Sequence, residues 1–362
     1  MAETKETGTL HISNAPHIST GQSVPLIMWT VVAALMPAAI YSVYIFGLNS
    51  LVLLLSGVIA AVAAEAVFQL GMKGPLSVSD GSAVITGLLV AMNVPPAAPW
   101  WIVAIGSFFA IIIVKQLFGG LGFNVFNPAL AARAFMLASW PVHMTTGWHE
   151  FSSGVRISSG FSNSANLPPE VFDALSGATH LTALKEAPKL VAEYNVSMAQ
   201  INEFLTSQGV LKSLFLGNVG GCIGETSVLF LLLGGLFLLI RRIITWHIPV
   251  TYMGTVALLA LVYYALTGNP NPHMAMIYHI LSGGLVLGAF FMATDMTTSP
   301  VTPKGMIIFA AGCGIITFVI RIWGGYPEGV SYSILLMNAV VPLIDRYTRP
   351  KIFGREEGEA GA

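Results

Sequence analysis

Apolar residues run in long blocks along this chain, and short clusters rich in Pro, Gly and Asn cut the blocks apart. The blocks cover residues 25–46, 50–70, 80–94, 99–118, 127–141, 224–240, 248–267, 277–293, 305–321 and 329–345. Each predicts an apolar helix, and several are shorter than the roughly 20 residues an ordinary membrane-crossing helix needs. Interruptions such as "NVPPAAP" (93–99) and "GNPNP" (268–272) stop helices, because proline lacks a backbone donor and constrains the residue before it. One long polar stretch, 142–223, separates the fifth block from the sixth.

Composition assigns the solvent. Hydrophobic residues make up 55% of the 362 and charged residues 9%, against a charged share of about a quarter in soluble domains. A chain so apolar is expected in lipid. The net charge of −1 and the absence of a basic stripe exclude nucleic acid as a partner. Cys222 and Cys313 lie far apart in sequence and form no Cys-x-x-Cys, so neither a disulfide framework nor a metal or iron–sulfur site built by this chain alone is expected. The mixed-charge start, residues 1–24, does not read as a cleavable signal, which leaves the first block as an uncleaved insertion signal.

Ten spans put both termini on one side. Lys5, Lys73, Lys115, Arg241, Arg242, Lys304, Arg346, Arg349, Lys351 and Arg355 fall on one face, and only Arg321 falls in the short loops of the other. The positive-inside bias therefore predicts cytoplasmic termini in a cell inner membrane and an external 142–223 loop. "GSAVITGLLVAM" (81–92) and "SGGLVLGAFFMA" (282–293) occupy the third span of each set of five and share a Gly-rich start with a second Gly partway along. An odd number of spans per copy inverts the second, and Gly-interrupted helices at matching positions mark inverted-repeat folds, although small residues also serve simply for close packing. The expected fold is all-α and polytopic: ten transmembrane helices as two inverted five-helix repeats with a long external loop. Its parts are a tail (1–24), the first repeat (25–141), the loop (142–223), the second repeat (224–345) and a second cytoplasmic tail (346–362).

Within the polar stretch, "DALSGATH" (173–180) joins a turn former, a glycine and a hydroxyl between small neighbours. Taken bare, Asp173, Ser176, Gly177, Ala178 and Thr179 read as a turn and helix cap. The order Asp-x-x-Ser-Gly-Ala-Thr resembles a flavinylation motif, in which a flavin transferase joins FMN through its phosphate to the threonine hydroxyl. Together with "SNAPHI" (13–18), "SDGSAVITGLLVAMNVPPAAPWW" (79–101), "FGGLGFNVFNPALAARAF" (118–135), "ATDMTTSPVTP" (293–303) and "EGVSYSILLMNAVVPLIDRY" (328–347), it makes the chain similar to the RnfD/NqrB family of membrane subunits. The chain length and short front end resemble the Rnf branch more than the quinone-reducing one.

The resemblance implies covalent FMN on Thr179 and a second, noncovalent flavin, riboflavin, at Asn124 and Asn127 where the fifth span begins. For these two asparagines helix capping is the competing reading. It further implies a six-subunit Rnf-type complex, with iron–sulfur subunits and a second covalent-flavin subunit, that couples ferredoxin and NAD⁺ to Na⁺ or H⁺ movement. Nicotinamide and cluster chemistry must come from those partners, since this chain has no Rossmann fingerprint and no cluster cysteines.

Glu65, Lys115, Arg133, Glu225, Asp295 and Asp345 lie in or beside apolar blocks, where an unpaired charge is costly. Glu65, Glu225 and Asp295 are candidates for an ion path; pairing of Glu65 and Glu225 with Lys115 or Arg133 is the alternative. Asp345-Arg346 reads as an interface anchor, and the tryptophans at span ends read the same way. The rival functions are the quinone-reducing sister protein and, from another class, a small-solute channel or carrier.

Overall fold

A computed structural model describes residues 23–146, 148, 168, 170–171, 179–194, 196–217, 219–225, 227–269, 271–325 and 328–349. Their regular structure is helical, with no strand among the described residues. In the first half, α1 is Val24–Phe46, α2 Leu48–Gly71, α3 Ser82–Met92, α4 Trp100–Gln116 and α5 Pro128–Ser139. The connecting segment carries α6 (Pro141–Thr145), α7 (His180–Tyr194), α8 (Met198–Leu205) and α9 (Gln208–Leu216). The second half contains α10 (Val228–Ile240), α11 (His247–Leu266), α12 (Pro272–Leu281), α13 (Leu285–Met292), α14 (Pro303–Trp323) and α15 (Val330–Tyr347).

Every apolar block is helical, and the departures lie at breaks. Helices α1, α2, α11 and α14 are long and apolar enough to cross a membrane, and α12 with α13 forms a fifth, bent by 62° at the break between them. The block at 277–293 is therefore two helices, broken at Ser282-Gly283-Gly284, where Gly283 takes φ +68°. Apolar side chains cover the outside, with Ile40 62%, Ile59 64% and Leu266 83% exposed, a surface that only lipid tolerates. The chain is a multi-pass membrane protein.

One packing relation recurs in both halves. Helix α2 packs along α3 and α4, as α11 packs along α12 and α14, while α1 pairs with α10 and α5 with α15 across the halves. Small residues permit the closest approaches: a Cβ on Gly57 would lie 2.6 Å from the Gly87 carbonyl oxygen, and one on Gly87 would collide with the Gly57 carbonyl in turn. A single large core runs through both halves. Helices α7 to α9 build a smaller one around Ala187, Ile201 and Phe204, which joins the membrane body through Tyr278 of α12. Their amphipathic sequence yields three helices, α8 opening with a Ser197/Gln200 capping box.

Candidate functional site

Thr179 stands at the start of α7, and its place follows from capping chemistry. Its carbonyl accepts from the Ala183 N–H at 2.8 Å, and its hydroxyl accepts from the Thr182 N–H at 3.3 Å, so it is the helix N-cap. The Thr179 and Thr182 hydroxyls lie 2.7 Å apart. Asp173, Ser176, Gly177 and Ala178 lie outside the described residues. Leu181 anchors the helix start against the α12–α13 break, where it abuts Gly283. One turn further on, Lys185 donates to the Gly324 carbonyl at the end of α14, and burial there pushes its ammonium below the ordinary lysine range.

Thr182 is also in the wall of a cavity of about 290 Å³ that includes Arg133, Trp148, Glu328, Ser331 and Tyr332. At its floor Arg133 of α5 forms an ion pair with Glu328, and donates to Asn93 Oδ1 at 2.7 Å. The Ser331 hydroxyl, on a residue only 6% exposed, has no hydrogen-bond partner among the described residues. Behind the ion pair, Cys222, Glu225 and Glu328 bring possible ligand atoms within 4.8 Å of one another. Glu225 accepts from the Cys222 N–H at 3.4 Å with one oxygen. With the Arg133 guanidinium directly on Glu328, this group is a charge network rather than a cation cage.

A second cavity, of about 270 Å³, lies where α1, α3, α4, α5, α10 and α13 converge. Its walls are apolar, Phe290 and Phe291 among them, with Ser82, Thr86, Lys115, Asn124, Asn127 and Asp295 as polar points. Asn127 is the α5 N-cap: its oxygen accepts from the Ala129 and Leu130 N–H groups at 3.0 and 3.2 Å, and its amide donates to the Met292 carbonyl at 3.1 Å. Asn124 donates to the Phe126 carbonyl at 3.2 Å and hydrogen-bonds Asp295. Asp295 also accepts from the Thr297 N–H and the Thr298 hydroxyl, at 3.4 and 3.2 Å.

Residues 11–354 match the family described as NQR2, RnfD, RnfE. The chain belongs to this family. Among its relatives is the D component of the Na(+)-translocating ferredoxin:NAD(+) oxidoreductase complex of Acetobacterium woodii, 49% identical with 95% of each chain covered. The D component of the proton-translocating ferredoxin:NAD(+) oxidoreductase complex of Clostridium ljungdahlii is 47% identical over 95% of this chain and 96% of its own. The corresponding component of the ion-translocating oxidoreductase complex of Stutzerimonas stutzeri is 45% identical over 92% of this chain and 93% of its own.

In this member of the family, the structure separates the ionisable residues that the sequence grouped together. Glu65 pairs with Lys115 at 2.8 Å, both nearly inaccessible at 1% and 2%. Glu225 forms no direct ion pair with Lys115 but lies in the field of Arg133, whose guanidinium is taken by Glu328, and Asp295 is held by neutral donors. Arg321, expected in a short loop, is instead buried in the last helical turn of α14, which runs on to Trp323. It donates to the Glu328, Ser282 and His279 carbonyls, so a cation satisfies the C-terminal carbonyls that the α12–α13 break leaves open. Glu328, Ser331, Thr182 and Trp148 are site residues that no local sequence signal selects. Asp345 accepts from the Val301 N–H at 3.2 Å and so ties a loop to the end of α15.

Proposed function

We propose that this chain is a flavin-carrying electron-transfer subunit of an Rnf-type membrane complex, passing electrons between flavins while the assembly couples ferredoxin and NAD⁺ to Na⁺ or H⁺ transport. Relatives that are 49% and 47% identical carry the names of ferredoxin:NAD(+) oxidoreductase complexes, which favours this over the quinone-reducing sister. Iron–sulfur subunits, a second covalent-flavin subunit and a maturing flavin transferase are the partners required.

Thr179 carries the proposal. A phosphoester on its hydroxyl would sit at the N-terminus of α7, 15 residues long, where unsatisfied N–H groups and the helix dipole favour negative charge. The phosphate oxygens would take over the acceptor role that the hydroxyl now plays toward the Thr182 N–H. The adjoining cavity fits the head group, since Arg133 and the unpartnered Ser331 hydroxyl are polar groups for an edge bearing carbonyls and ring nitrogens. Covalent attachment keeps an electron relay in place through both redox states.

The second cavity suits a noncovalent flavin of the riboflavin type. Aromatic and aliphatic walls would cover its ring faces. Asn127 has one amide N–H beyond its capping bonds, and the Asn124 oxygen is free to accept from a pyrimidine N–H. Ten spans in two inverted sets are supported by the matched packing of α2 and α11 and by the pairing of first with first and last with last helices. In that topology both termini are cytoplasmic, Thr179 lies outside and the Asn127 cavity opens inward.

The test is the denatured chain, expressed with its flavin transferase and viewed under ultraviolet light, followed by mass measurement. A fluorescent band with the mass of one esterified FMN, absent in Thr179→Val, is expected. A colourless chain of unmodified mass would overturn the proposal in favour of a permease.

A further inference from the structure

Lys115 is the least accessible lysine described, 2% exposed in the π-wound end of α4, yet it forms part of the wall of the Asn127 cavity. An ammonium has three donors. One goes to Glu65 Oε1 at 2.8 Å and one to the Ser82 hydroxyl at 2.6 Å, which leaves one with no acceptor among the described residues. Glu65 is saturated on one side only. Its Oε1 also receives Gln116 at 2.7 Å and Gln69 at 3.4 Å, while Oε2 is buried without a partner among the described residues. Glu65 is absent from the cavity wall, so the pair is a fixed dipole whose positive end meets the cavity and whose negative end is one layer behind.

A buried ion pair contributes little to stability, since apolar replacements of the same size are often as good. Two unused hydrogen-bonding groups in one pair lower that contribution further. What the arrangement supplies is a preorganised positive potential in a largely apolar cavity, where a charge acts strongly on anything that changes its own charge. Asp295, on the cavity wall, has its oxygens turned to Thr297, Thr298 and Asn124, so it does not neutralise Lys115.

We infer that Lys115 is a positioning residue that donates to the ligand of the Asn127 cavity and raises its reduction potential, with Glu65 and Ser82 holding the ammonium in place. The inference rests on the proposal that a noncovalent flavin occupies this cavity, because a flavin gains negative charge on reduction and a neutral, redox-silent solute does not. Its ring carbonyl and nitrogen acceptors suit the spare N–H. Removing the cation while retaining the ring-binding walls disfavours the reduced form; replacing it with another cation does not.

The experiment uses the purified complex containing wild-type chain, Lys115→Arg, or the charge-neutral double variant Lys115→Met/Glu65→Gln, which avoids leaving a lone buried carboxylate. Noncovalent flavin is released by denaturation and quantified, and its midpoint potential is measured by spectroelectrochemical titration. In the double variant we expect the midpoint to fall by the equivalent of about a tenfold loss of preference for the reduced form, about 30 mV for a two-electron couple. Lys115→Arg should restore it, and the Thr179-linked flavin should be unmoved. Loss of the noncovalent flavin alone from the double variant also supports the inference. A wild-type midpoint in the double variant overturns it, as does an equal fall in Lys115→Arg. If wild-type complex releases no flavin on denaturation, the assignment of the cavity fails first, and that result is distinct from an unchanged potential.

Discussion

Arg133 and Glu328 are 195 positions apart and form a largely buried ion pair that joins α5 of the first half to the entry of α15 in the second. Their side chains are 9% and 17% exposed. Cys222 and Asn93 contact the same guanidinium, and the Ile223 N–H donates to the Val94 carbonyl at 3.0 Å, so three separate segments close over one charge. The loops of the two halves are thus fastened together beside the Thr179 cavity.

Removing one partner of that pair leaves a buried charge, a loss of about 3–5 kcal/mol in comparable sites. Glu328→Gln and Arg133→Met are each expected to lower the thermal unfolding midpoint of the detergent-solubilised protein substantially. Arg133→Met/Glu328→Gln, which removes both charges, should lose much less than the sum. Additive losses would show that the two side chains are not coupled.

The anchor and cap roles of Thr179 can be separated by choice of substitute. Asparagine is a good N-cap, whereas alanine costs a helix about 1 kcal/mol there. Thr179→Asn should keep α7 folded, as followed by protease resistance of the 142–223 segment, yet give no fluorescent band on a denaturing gel. Thr179→Ala should lose the band and also show weaker protease resistance of that segment. Fluorescence surviving in Thr179→Asn would place the flavin on another residue.

Much of the helical layout is legible in the sequence because lipid demands long apolar blocks, and all ten coincide with helices. Pairing of Glu65 is one of two readings that burial alone allows, and Lys115 realises it. Asp295 shows the reverse: a buried acid beside an apolar block need not take a cation when Thr297, Thr298 and Asn124 supply neutral donors. Glu328 sits in "YPEG", which looks like a solvated turn, and nothing local says that Arg133 folds onto it. Arg321 is misplaced by hydropathy because a positive charge at a span end normally marks a loop. Here the α12–α13 break supplies carbonyls that draw it inside, and the break itself is visible in sequence only as two glycines. The Thr179 motif is legible by resemblance, but beyond the adjacent Thr182 its neighbourhood of Arg133 and Ser331 comes from two distant segments.

Close backbone contact between α2 and α3 sets a further expectation. Gly57→Ala and Gly87→Ala each drive a methyl into the facing carbonyl, and backbone cannot swing aside as a flexible side chain can. Each should destabilise by about 1–3 kcal/mol, the usual range for overpacking. Gly254, within α11, has nothing near its would-be Cβ, so Gly254→Ala should be neutral or stabilise by about 0.5–1 kcal/mol through helix propensity. Thermal unfolding of the three variants decides this, and equal behaviour of all three would count against the packing.

Asn124 and Asn127 differ in how much of each amide the fold consumes, and that difference predicts different phenotypes. Asn127 uses its oxygen for two α5 N–H groups and one N–H for the Met292 carbonyl, so Asn127→Ala strips three buried bonds and should cost about 2 kcal/mol or more. Asn127→Asp keeps the acceptor and restores the cap but removes both donors, so much of the stability should return while noncovalent flavin does not. Asn124 supports only the Phe126 carbonyl and Asp295, and Asn124→Ala should cost about 1 kcal/mol while releasing the flavin. Flavin content after denaturation, set beside the unfolding midpoint, separates the two effects. Wild-type flavin content in Asn124→Ala and Asn127→Asp would reduce both residues to capping and loop roles.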